Sequence, residues 1–467
     1  MTTNHLDASQ FTHDQQFDTD IVIIGSGAGG GIAAEQLAQA DRWLAAIGQC
    51  RAERRQPALH RRIQVEHAAV AVFHAEHAAH LQEALQAHDA GLPVFLGNPR
   101  WSETDLAEAA RQIPRGTIVK GHAPEPLGLG TCDWPKNWRG RVMIPTGGTG
   151  GKVKFIIHSP ETLVAAALGL RDALVARGLS PILHGVTCTP PWHVSGFMPA
   201  IRARVTGGQH LVIDGRFNED TPLPSVAFPS LGTKIISLVP AQLSRLLARA
   251  EGEAWLRAFD VILLGGSSVP APLLAEISTR RLPVFLTYGS TETAAACALC
   301  PPEKIWSGES VLGTPLPGVT FATNGDGVVT IATAALGLGL WPDGPLDSPW
   351  VSGDRGDVAA DGCVKISGRA DRVIITGGEK VDPGRVEQAL LSTGLIKEAF
   401  VLGMIDARWG EIVTACVIGP ASAEAALRLA CEALEPAARP RRYVFVPSMP
   451  TNAIGKPDRE AIAKLTA

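Results

Sequence analysis

A glycine-rich stretch in the first third of the chain has the residue types of a phosphate-binding loop. Residues 144–154 read I-P-T-G-G-T-G-G-K-V-K. Glycine allows positive φ angles, and successive N–H groups in such a turn form a concave nest for anions. Thr146 and Thr149 add hydroxyl donors, and Lys152 and Lys154 add positive charge. The stretch therefore predicts binding of a phosphate chain.

The spacing differs from the Walker pattern of P-loop proteins. Thr146 stands where the first glycine would be, and Val153 follows the lysine. Residues 141–144 before the loop are β-like, and residues 159–178 after it are rich in alanine and leucine and predict a helix. On these residues alone, a glycine-rich surface loop without a ligand is the alternative interpretation.

The same loop resembles the signature of the adenylate-forming superfamily, which comprises acyl- and aryl-CoA ligases, peptide-synthetase adenylation domains and luciferases. The superfamily pattern is T-S-G-T-T-G-x-P-K, and Gly147, Gly150 and Val153 depart from it. The glycine and valine variants resemble most the 2-succinylbenzoate–CoA ligases of menaquinone and phylloquinone synthesis. Residues 91–101, G-L-P-V-F-L-G-N-P-R-W, also resemble those ligases, and the resemblance implies a buried strand and turn there.

Seven further stretches resemble the superfamily in the expected order. Each is weak alone, but seven in order behind the loop leave little room for coincidence. After the glycine-rich loop, predicted strands and helices alternate between residues 182 and 293, which predicts parallel sheets flanked by helices, and residues 311–366, richer in Gly, Pro and Val, predict a small β subdomain. The resemblance implies the same α/β fold: a large N-terminal domain of helix-flanked sheets with a small β subdomain, then a mobile small C-terminal α+β domain. The stretches are His193-Val-Ser-Gly196, Leu264-Gly-Gly-Ser267, Tyr288-Gly-Ser-Thr-Glu-Thr293, Ser352-Gly-Asp354, Gly368-Arg369-Ala-Asp371, Thr376-Gly-Gly-Glu-Lys-Val-Asp-Pro383 with Glu387, and Asn452-Ala-Ile-Gly-Lys456-Pro-Asp-Arg459.

The activity that this resemblance implies is ATP-dependent ligation of a carboxylic acid to CoA. The carboxylate would attack the α-phosphate of ATP and form an acyl-adenylate, which the CoA thiol would then attack. Charge builds on the phosphoryl oxygens, so catalysis depends on positioning and electrostatics. The implied cofactors are ATP, Mg²⁺ and CoA, and the first candidate substrate is 2-succinylbenzoate. One alternative is a ligase for another aryl or acyl acid. The other is a degenerate protein that binds nucleotide without turnover.

The resemblance also assigns the nucleotide-binding residues. The glycine turn after residue 264 and the ring of Tyr288 would lie near adenine, Asp354 would accept hydrogen bonds from the ribose hydroxyls, and Arg369 would touch ribose or phosphate. The full set implied for the nucleotide is Thr146, Gly147, Gly148, Thr149, Gly150, Gly151, Lys152, Lys154, Gly265, Gly266, Tyr288, Gly289, Ser290, Thr291 and Asp354.

Four residues are implied to be catalytic: Lys456, Arg369, His193 and Glu292. Glu292 would hold Mg²⁺, a hard cation that favours carboxylate oxygen. Lys456 would bridge the substrate carboxylate and the α-phosphate, which lowers the repulsion between two anions. A core histidine and a solvated lysine are the structural alternatives for His193 and Lys456.

The small lobe is implied to turn between the two half-reactions. Asp371 matches the hinge position, and Gly377, Gly378 and Lys380 would then line the path of the CoA pantetheine. Because 2-succinylbenzoate is a dianion, a second basic group should face it. Arg204 and Lys234 are the candidates, with surface charge as the alternative for each.

A second glycine motif lies near the N-terminus. Residues 20–35, D-I-V-I-I-G-S-G-A-G-G-G-I-A-A-E, predict a strand, a Gly25-x-Gly27-x-x-Gly30 turn and a helix. They resemble the N-terminus of FAD-dependent glucose–methanol–choline oxidoreductases. A second strand ending in an acidic residue should follow about 20 residues on, but residues 41–57 are basic and predict a helix. A structural extension is therefore favoured over a flavin site, with an oxidoreductase fragment as the alternative.

Length and composition indicate a globular protein with more than one domain. The 467 residues are 45% hydrophobic and 19% charged with a net charge of −4, so nothing favours nucleic acid as a partner. No apolar run reaches the roughly 18–20 residues of a membrane span, and the polar, acidic N-terminal residues predict no signal peptide. The cytoplasm is the expected compartment. Predicted boundaries are an extension of residues 1–42, a large domain of 43–370 and a small lobe of 371–467, and a homodimer is left open.

Two sets of metal-binding residue types are interpreted as structural. Cys297 and Cys300 form one CxxC in an alanine-rich stretch that predicts a helix, and without a second pair, buried small residues are favoured over zinc ligands. The histidines of the region before residue 120 lack a fixed ligand spacing and predict solvated helix faces. They include His60, His67, His74, His77, His80 and His88.

Overall fold

The computed structural model describes residues 69–122, 138–147, 153–267, 269–308, 313–451 and 457–466. Every described residue belongs to one unit, residues 60–467. The N-terminal motif with Gly25, Gly27 and Gly30 lies outside the described residues, so its interpretation stays a prediction.

The described residues alternate between strand and helix in the first two thirds and are mainly strand thereafter. In chain order the elements are β1 (Val70–Phe73), α1 (His77–Asp89), β2 (Val94–Leu96), α2 (Glu103–Gln112), β3 (Ile118–Gly121), β4 (Val142–Gly147), β5 (Val153–His158), α3 (Pro160–Val175), β6 (Leu183–Thr187), α4 (Val194–Thr206), β7 (His210–Val212), β8 (Thr233–Leu238), α5 (Pro240–Ala248), α6 (Gly252–Leu256), β9 (Val261–Leu264), α7 (Ala271–Arg280), β10 (Val284–Ser290), β11 (Ala295–Cys300), α8 (Pro302–Trp306), β12 (Thr314–Pro315), β13 (Val319–Thr323), β14 (Val328–Thr333), β15 (Gly339–Trp341), β16 (Gly344–Pro345), β17 (Trp350–Val358), β18 (Val364–Arg369), β19 (Ile374–Thr376), β20 (Glu379–Val381), α9 (Pro383–Leu391), β21 (Glu398–Asp406), β22 (Gly410–Ile418), α10 (Glu424–Ala430), β23 (Arg442–Phe445) and α11 (Arg459–Thr466).

Two seven-stranded sheets form the large part of the molecule. The first has the order β16-β15-β5-β4-β2-β1-β3, and the second has the order β12-β11-β10-β9-β8-β6-β7. Strands β6 to β10 pair in parallel, and the apolar runs of β6, β8 and β9 are buried, as parallel strands covered by helices require. The α/β class predicted from the strand–helix alternation is therefore confirmed.

Two smaller sheets follow. Strands β13, β14, β17 and β18 form an antiparallel sheet in the region predicted to be a small β subdomain. A 3₁₀ turn, Ala370–Arg372, then leads into a sheet of β20-β19-β22-β21, which β23 extends by pairing with β22. The last sheet has its own apolar core with helix α9, which includes Val386, Leu390 and Val413. The predicted boundary at residue 370 falls in the 3₁₀ turn and stays a prediction.

Two predictions, a helix at the CxxC stretch and solvated histidines before residue 120, are wrong. The stretch with Cys297 and Cys300 is strand β11 and not a helix, because it pairs along its length with β10 and this pairing overrides the helix propensity of alanine. His80 and His88 are 0% and 4% exposed, so they are not on solvated helix faces. Burial lowers the pKa of His80 to about 3, which keeps the ring neutral. Among the described residues, the helices are too short or too polar to cross a membrane.

Candidate active site

The glycine-rich stretch is flanked by two strands, β4 and β5. Strands β4 and β5 pair antiparallel, with Thr146 opposite Lys154 and Gly147 opposite Val153. Gly148, Thr149, Gly150, Gly151 and Lys152, between the strands, lie outside the described residues. The Nζ of Lys154 is 2.7 Å from Oδ2 of Asp343, so any phosphate that Lys154 contacts competes with this carboxylate.

The carboxyl ends of the parallel strands carry most of the other predicted site residues. His193 follows β6, Gly265 and Gly266 follow β9, and Tyr288 to Thr293 end β10 and the turn beyond it. Open α/β sheets bind ligands at this edge, because the chain turns there into loops and helix N-termini. The topology therefore places His193 and the Tyr288–Thr293 stretch, about 100 residues apart in the sequence, at the same edge of one sheet.

Asp354 is held from two sides. The hydroxyl of Tyr288 donates to its Oδ2 at 2.7 Å, and Nη1 of Arg369 is 3.3 Å from its Oδ1. Asp354 and Arg369 are also direct cross-strand partners on β17 and β18. Burial and the neighbouring Asp354 carboxylate raise the pKa of Tyr288, so the phenol stays a donor. A carboxylate has about four acceptor sites, so Asp354 keeps capacity for two hydroxyl donors of a ligand.

The turn after β10 has a tightly packed backbone. A bulge falls between Tyr288 and Gly289, where a Cβ on Gly289 would lie 1.8 Å from the carbonyl oxygen of Ala295. Only glycine fits there. Oγ1 of the fully buried Thr293 accepts from the amide of Ser290 at 3.0 Å and lies 2.8 Å from the carbonyl oxygen of Ala295. These contacts fix the turn that carries Thr291 and Glu292.

Glu292 is half-buried, and among the described residues no hydrogen bond or ion pair to its carboxylate is seen. Its backbone carbonyl accepts from the amide of Gly337 at 2.7 Å. The carbonyl of Thr291 lies 2.8 Å from Nε2 of His158, a residue that sequence reasoning missed. The only signal was a histidine within the apolar run of β5. The arrangement fixes the backbone of Glu292 and leaves its carboxylate oxygens available.

His193 occupies the N-cap position of α4. Its carbonyl accepts from the amides of Gly196 and Phe197 at 3.0 Å, which begins the helix. A Cβ on Gly196 would lie 2.2 Å from the carbonyl oxygen of Pro190, so this glycine lets the loop after β6 approach the helix. The half-buried His193 thus projects from a fixed helix start beside the fully buried Trp192.

The structure describes the backbone of all the C-terminal residues of the predicted site except Lys456. Gly377 and Gly378 form the turn between β19 and β20, where the amide of Gly377 donates to the carbonyl of Trp409 at 2.8 Å. Glu387 pairs with Arg372 at 2.5 Å, which ties the residue after Asp371 to helix α9. The backbone of Asp371 lies in the 3₁₀ turn and that of Lys380 lies on β20. Lys456 lies outside the described residues, so its role stays a prediction.

A buried arginine was also missed. Arg202 on α4 is 6% exposed, and among the described residues its Nε has no hydrogen-bond partner. Burial lowers its pKa to about 10, so the guanidinium is still charged at neutral pH. It lines a small cavity with Gly185, Pro199 and Ser237, between α4 and strands β6 and β8. A single charge within the buried run 196–203 was the available signal.

The two basic residues predicted to face a substrate carboxylate are placed differently. Nη1 of Arg204 is 2.6 Å from Oδ1 of Asp89, so an internal partner already satisfies its charge. Lys234 lies on β8, where its amide donates to Oδ2 of Asp260 at 2.7 Å. The buried cation without a carboxylate partner among the described residues is Arg202, two positions before Arg204.

The chain is similar to curated proteins over about two thirds of its length. A probable 2-succinylbenzoate–CoA ligase of Mycobacterium tuberculosis is 30% identical over 340 residues, which cover 69% of this chain and 84% of the relative. A 2-succinylbenzoate–CoA ligase of Bacillus cereus is 29% identical over 343 residues, which cover 69% of this chain and 70% of the relative.

Two solved structures have the same fold. The o-succinylbenzoate CoA synthetase of Bacillus subtilis, in complex with an acyl-adenylate intermediate, gives a TM-score of 0.66 at 23% identity over 92% of each chain. ATP-bound MatB of Rhodopseudomonas palustris gives 0.67 at 21% identity over 92% of each chain.

The family models cover both parts of the molecule. Residues 51–324 match the model described as AMP-binding enzyme, and residues 385–456 match the AMP-binding enzyme C-terminal domain. The first match alone covers more than half of the 467 residues. The chain therefore belongs to the AMP-binding enzyme family.

Proposed function

We propose that this protein is an ATP-dependent carboxylate–CoA ligase that acts through an acyl-adenylate, with 2-succinylbenzoate as the substrate and menaquinone or phylloquinone synthesis as its setting. The observation that carries the proposal is Asp354, which Tyr288 and Arg369 hold as a hydroxyl acceptor. It lies on the strand that pairs with the strand of Arg369, in the region where a nucleotide ribose is expected. The cytoplasm and a homodimer belong to the same proposal, and sedimentation of the purified chain tests the latter.

The residues of the turn after β10 fit a magnesium ion bound with ATP. The carboxylate of Glu292 has no ion pair among the described residues, and oxygen is the ligand that Mg²⁺ prefers. Among the described residues, no three histidine, cysteine or carboxylate side chains converge as a metal cage. Magnesium commonly uses one or two carboxylates together with substrate phosphates. When bound, the ion would neutralise phosphate charge.

The chain's own residues supply the rest of the adenylation step. The glycine-rich stretch would hold the β- and γ-phosphates, and Lys456 would bring the substrate carboxylate to the α-phosphate. His193 would border the acyl group from its fixed position at the start of α4. CoA would enter along Gly377, Gly378 and Lys380 after the small lobe turns about Asp371.

The substrate's second carboxylate is proposed to meet Arg202. A charge buried without a partner is costly, whereas a guanidinium and a carboxylate form strong paired hydrogen bonds. The cavity that Arg202 lines with Ser237 lies along α4, the helix that begins at His193. The names of the relatives also support a substrate with two carboxylates.

The proposal is tested by pyrophosphate release with ATP, Mg²⁺ and a panel of carboxylic acids, with and without CoA. We expect release with 2-succinylbenzoate, and a thioester only when CoA is present. Pyrophosphate release with a different acid would keep the ligase and change the substrate. ATP binding without turnover on any acid would instead favour a degenerate nucleotide-binding protein, and a purified protein with one equivalent of flavin would favour the oxidoreductase alternative.

A further inference from the structure

His158 links strand β5, which follows the glycine-rich stretch, to the turn that carries Glu292. It is the last residue of β5 and is 0% exposed. Its Nε2 lies 2.8 Å from the carbonyl oxygen of Thr291, which is 133 positions away in the sequence, and its Nδ1 lies 3.0 Å from Oγ1 of Thr162. Both ring nitrogens therefore have partners, one in α3 and one in the candidate site.

The direction of these hydrogen bonds follows from the chemistry of the partners. A carbonyl only accepts, so Nε2 of His158 carries a proton and donates to Thr291. Burial lowers the pKa of His158 to about 4, although the Thr291 carbonyl acts in the opposite direction, so the ring is neutral at neutral pH. A neutral imidazole with a proton on Nε2 has an acceptor at Nδ1, to which the hydroxyl of Thr162 can donate.

The same part of the fold holds the backbone of Glu292 on its other side. The carbonyl of Glu292 accepts from the amide of Gly337 at 2.7 Å, and the amide of Leu338 donates to Ile157 at 2.8 Å. The end of β5, at Ile157 and His158, thus supports both peptide carbonyls that flank the Cα of Glu292. No comparable support reaches the Glu292 carboxylate from the described residues.

Building on the proposed function, we propose that His158 is a positioning residue for the magnesium–nucleotide complex. It touches neither substrate nor metal, and acts by holding the Thr291–Glu292 peptide so that the carboxylate points at the ion. Residues that orient a metal ligand typically contribute about 10–100-fold to metal affinity. A histidine that only filled the core would affect folding and leave magnesium dependence unchanged.

The test compares His158→Leu with His158→Gln. Leucine fills the space without a donor, whereas the Nε2 of glutamine lies near the position of the imidazole Nε2 and can donate to Thr291. Equilibrium binding of a non-hydrolysable ATP analogue is titrated with Mg²⁺, and hydrogen–deuterium exchange is measured on the peptide that covers residues 286–296. His88→Leu is the matched control, since it removes another buried histidine, at the end of α1.

We expect His158→Leu to need about 10-fold more Mg²⁺ for half-maximal analogue binding and to exchange faster at residues 286–296. His158→Gln and His88→Leu should keep the magnesium dependence of the unchanged protein. An unchanged magnesium midpoint in His158→Leu, or equal impairment of the leucine and glutamine variants, would overturn the proposal. Because analogue binding needs no acid, the result is independent of whether pyrophosphate release supports the ligase function. If His158→Leu does not fold, His158→Gln decides alone. This variant keeps a donor to Thr291, so a magnesium midpoint raised about 10-fold would reject the role, and an unchanged midpoint with unchanged exchange at residues 286–296 would support it.

Discussion

The hydroxyl of Tyr288 donates a 2.7 Å hydrogen bond to Oδ2 of Asp354, which is 66 positions further along the chain. The bond joins the second seven-stranded sheet to the antiparallel sheet of β17, and so couples the turn that carries Glu292 to the acceptor proposed for ribose. Because burial and the Asp354 carboxylate raise the pKa of Tyr288, the phenol keeps its proton at neutral pH and stays the donor of this bond.

Tyr288→Phe should weaken ATP binding more than it slows turnover. A hydrogen bond to a charged group contributes about 1.5–3 kcal/mol, so KM for ATP should rise roughly 10-fold or more while kcat changes less. Steady-state kinetics of pyrophosphate release provide the measurement. Tyr443→Phe, at the only other tyrosine of the chain, is the control and should keep the original KM. An unchanged KM in Tyr288→Phe would mean that Asp354 does not depend on this bond.

Lys456→Ala should separate the two half-reactions. A fixed ammonium lowers the barrier for the meeting of carboxylate and α-phosphate, so its loss should slow adenylate formation by roughly 10²–10³. Thioester formation from supplied acyl-adenylate should stay nearly intact, because the lysine is expected to leave the site when the lobe turns. Lys456→Arg should rescue only in part, since a planar fork replaces a compact charge. Normal pyrophosphate release by Lys456→Ala would refute the assigned role.

The folded protein should lose stability as the pH falls from about 6.5 toward 4. Burial lowers the pKa of His158 and His210 to about 4 and that of His80 to about 3. In this interval the unfolded chain binds protons that the folded chain excludes, so each histidine costs roughly 1.4 kcal/mol per pH unit. Urea denaturation at several pH values measures the slope of the free energy of unfolding against pH. His158→Gln should lower this slope by the contribution of one histidine, roughly 1.4 kcal/mol per pH unit. A flat profile between pH 7 and 5 would contradict the neutral buried state of these rings.

Sequence reasoning succeeded where local pattern and superfamily order agree. The alternation of β6 to β10 with helices predicted parallel sheets, and the matches at Tyr288 and Asp354 lie on strands that the fold brings together. It failed where distant pairing decides the structure. Strand β11 has a helix-forming composition, but its partner β10 determines its conformation.

The roles of single polar residues in apolar runs were also beyond sequence reasoning. His158 and Arg202 lie within otherwise buried segments. The role of His158 depends on a partner 133 residues away, and that of Arg202 on an Nε without a hydrogen-bond partner among the described residues. No periodicity encodes such relationships. Arg204 was named because it is basic, yet its pairing with Asp89 requires knowledge of how α4 packs against α1.

Arg202→Met should weaken substrate binding without a loss of stability. Methionine fills the space of the arginine stem and removes a buried charge that has no carboxylate partner among the described residues, so the free protein should be equally or more resistant to unfolding. If Arg202 served only the fold, its replacement would instead lower the stability of the free protein and leave substrate binding unchanged. Truncating one member of a buried charge pair costs about 2–5 kcal/mol, so KM for the dicarboxylate should rise at least roughly 30-fold. For monocarboxylate analogues, KM should be similar in Arg202→Met and in the unchanged protein.

Arg204→Met, on the same helix, is the matched control for this last prediction. Its guanidinium pairs with Asp89 and is 34% exposed, so its removal should cost some stability and leave KM for the dicarboxylate unchanged. Thermal unfolding and pyrophosphate release, measured on both variants, separate the two roles. If Arg202→Met keeps the original KM for 2-succinylbenzoate, the buried guanidinium does not read the second carboxylate. If it also loses more stability than Arg204→Met, the charge supports the fold through contacts that the substrate does not share.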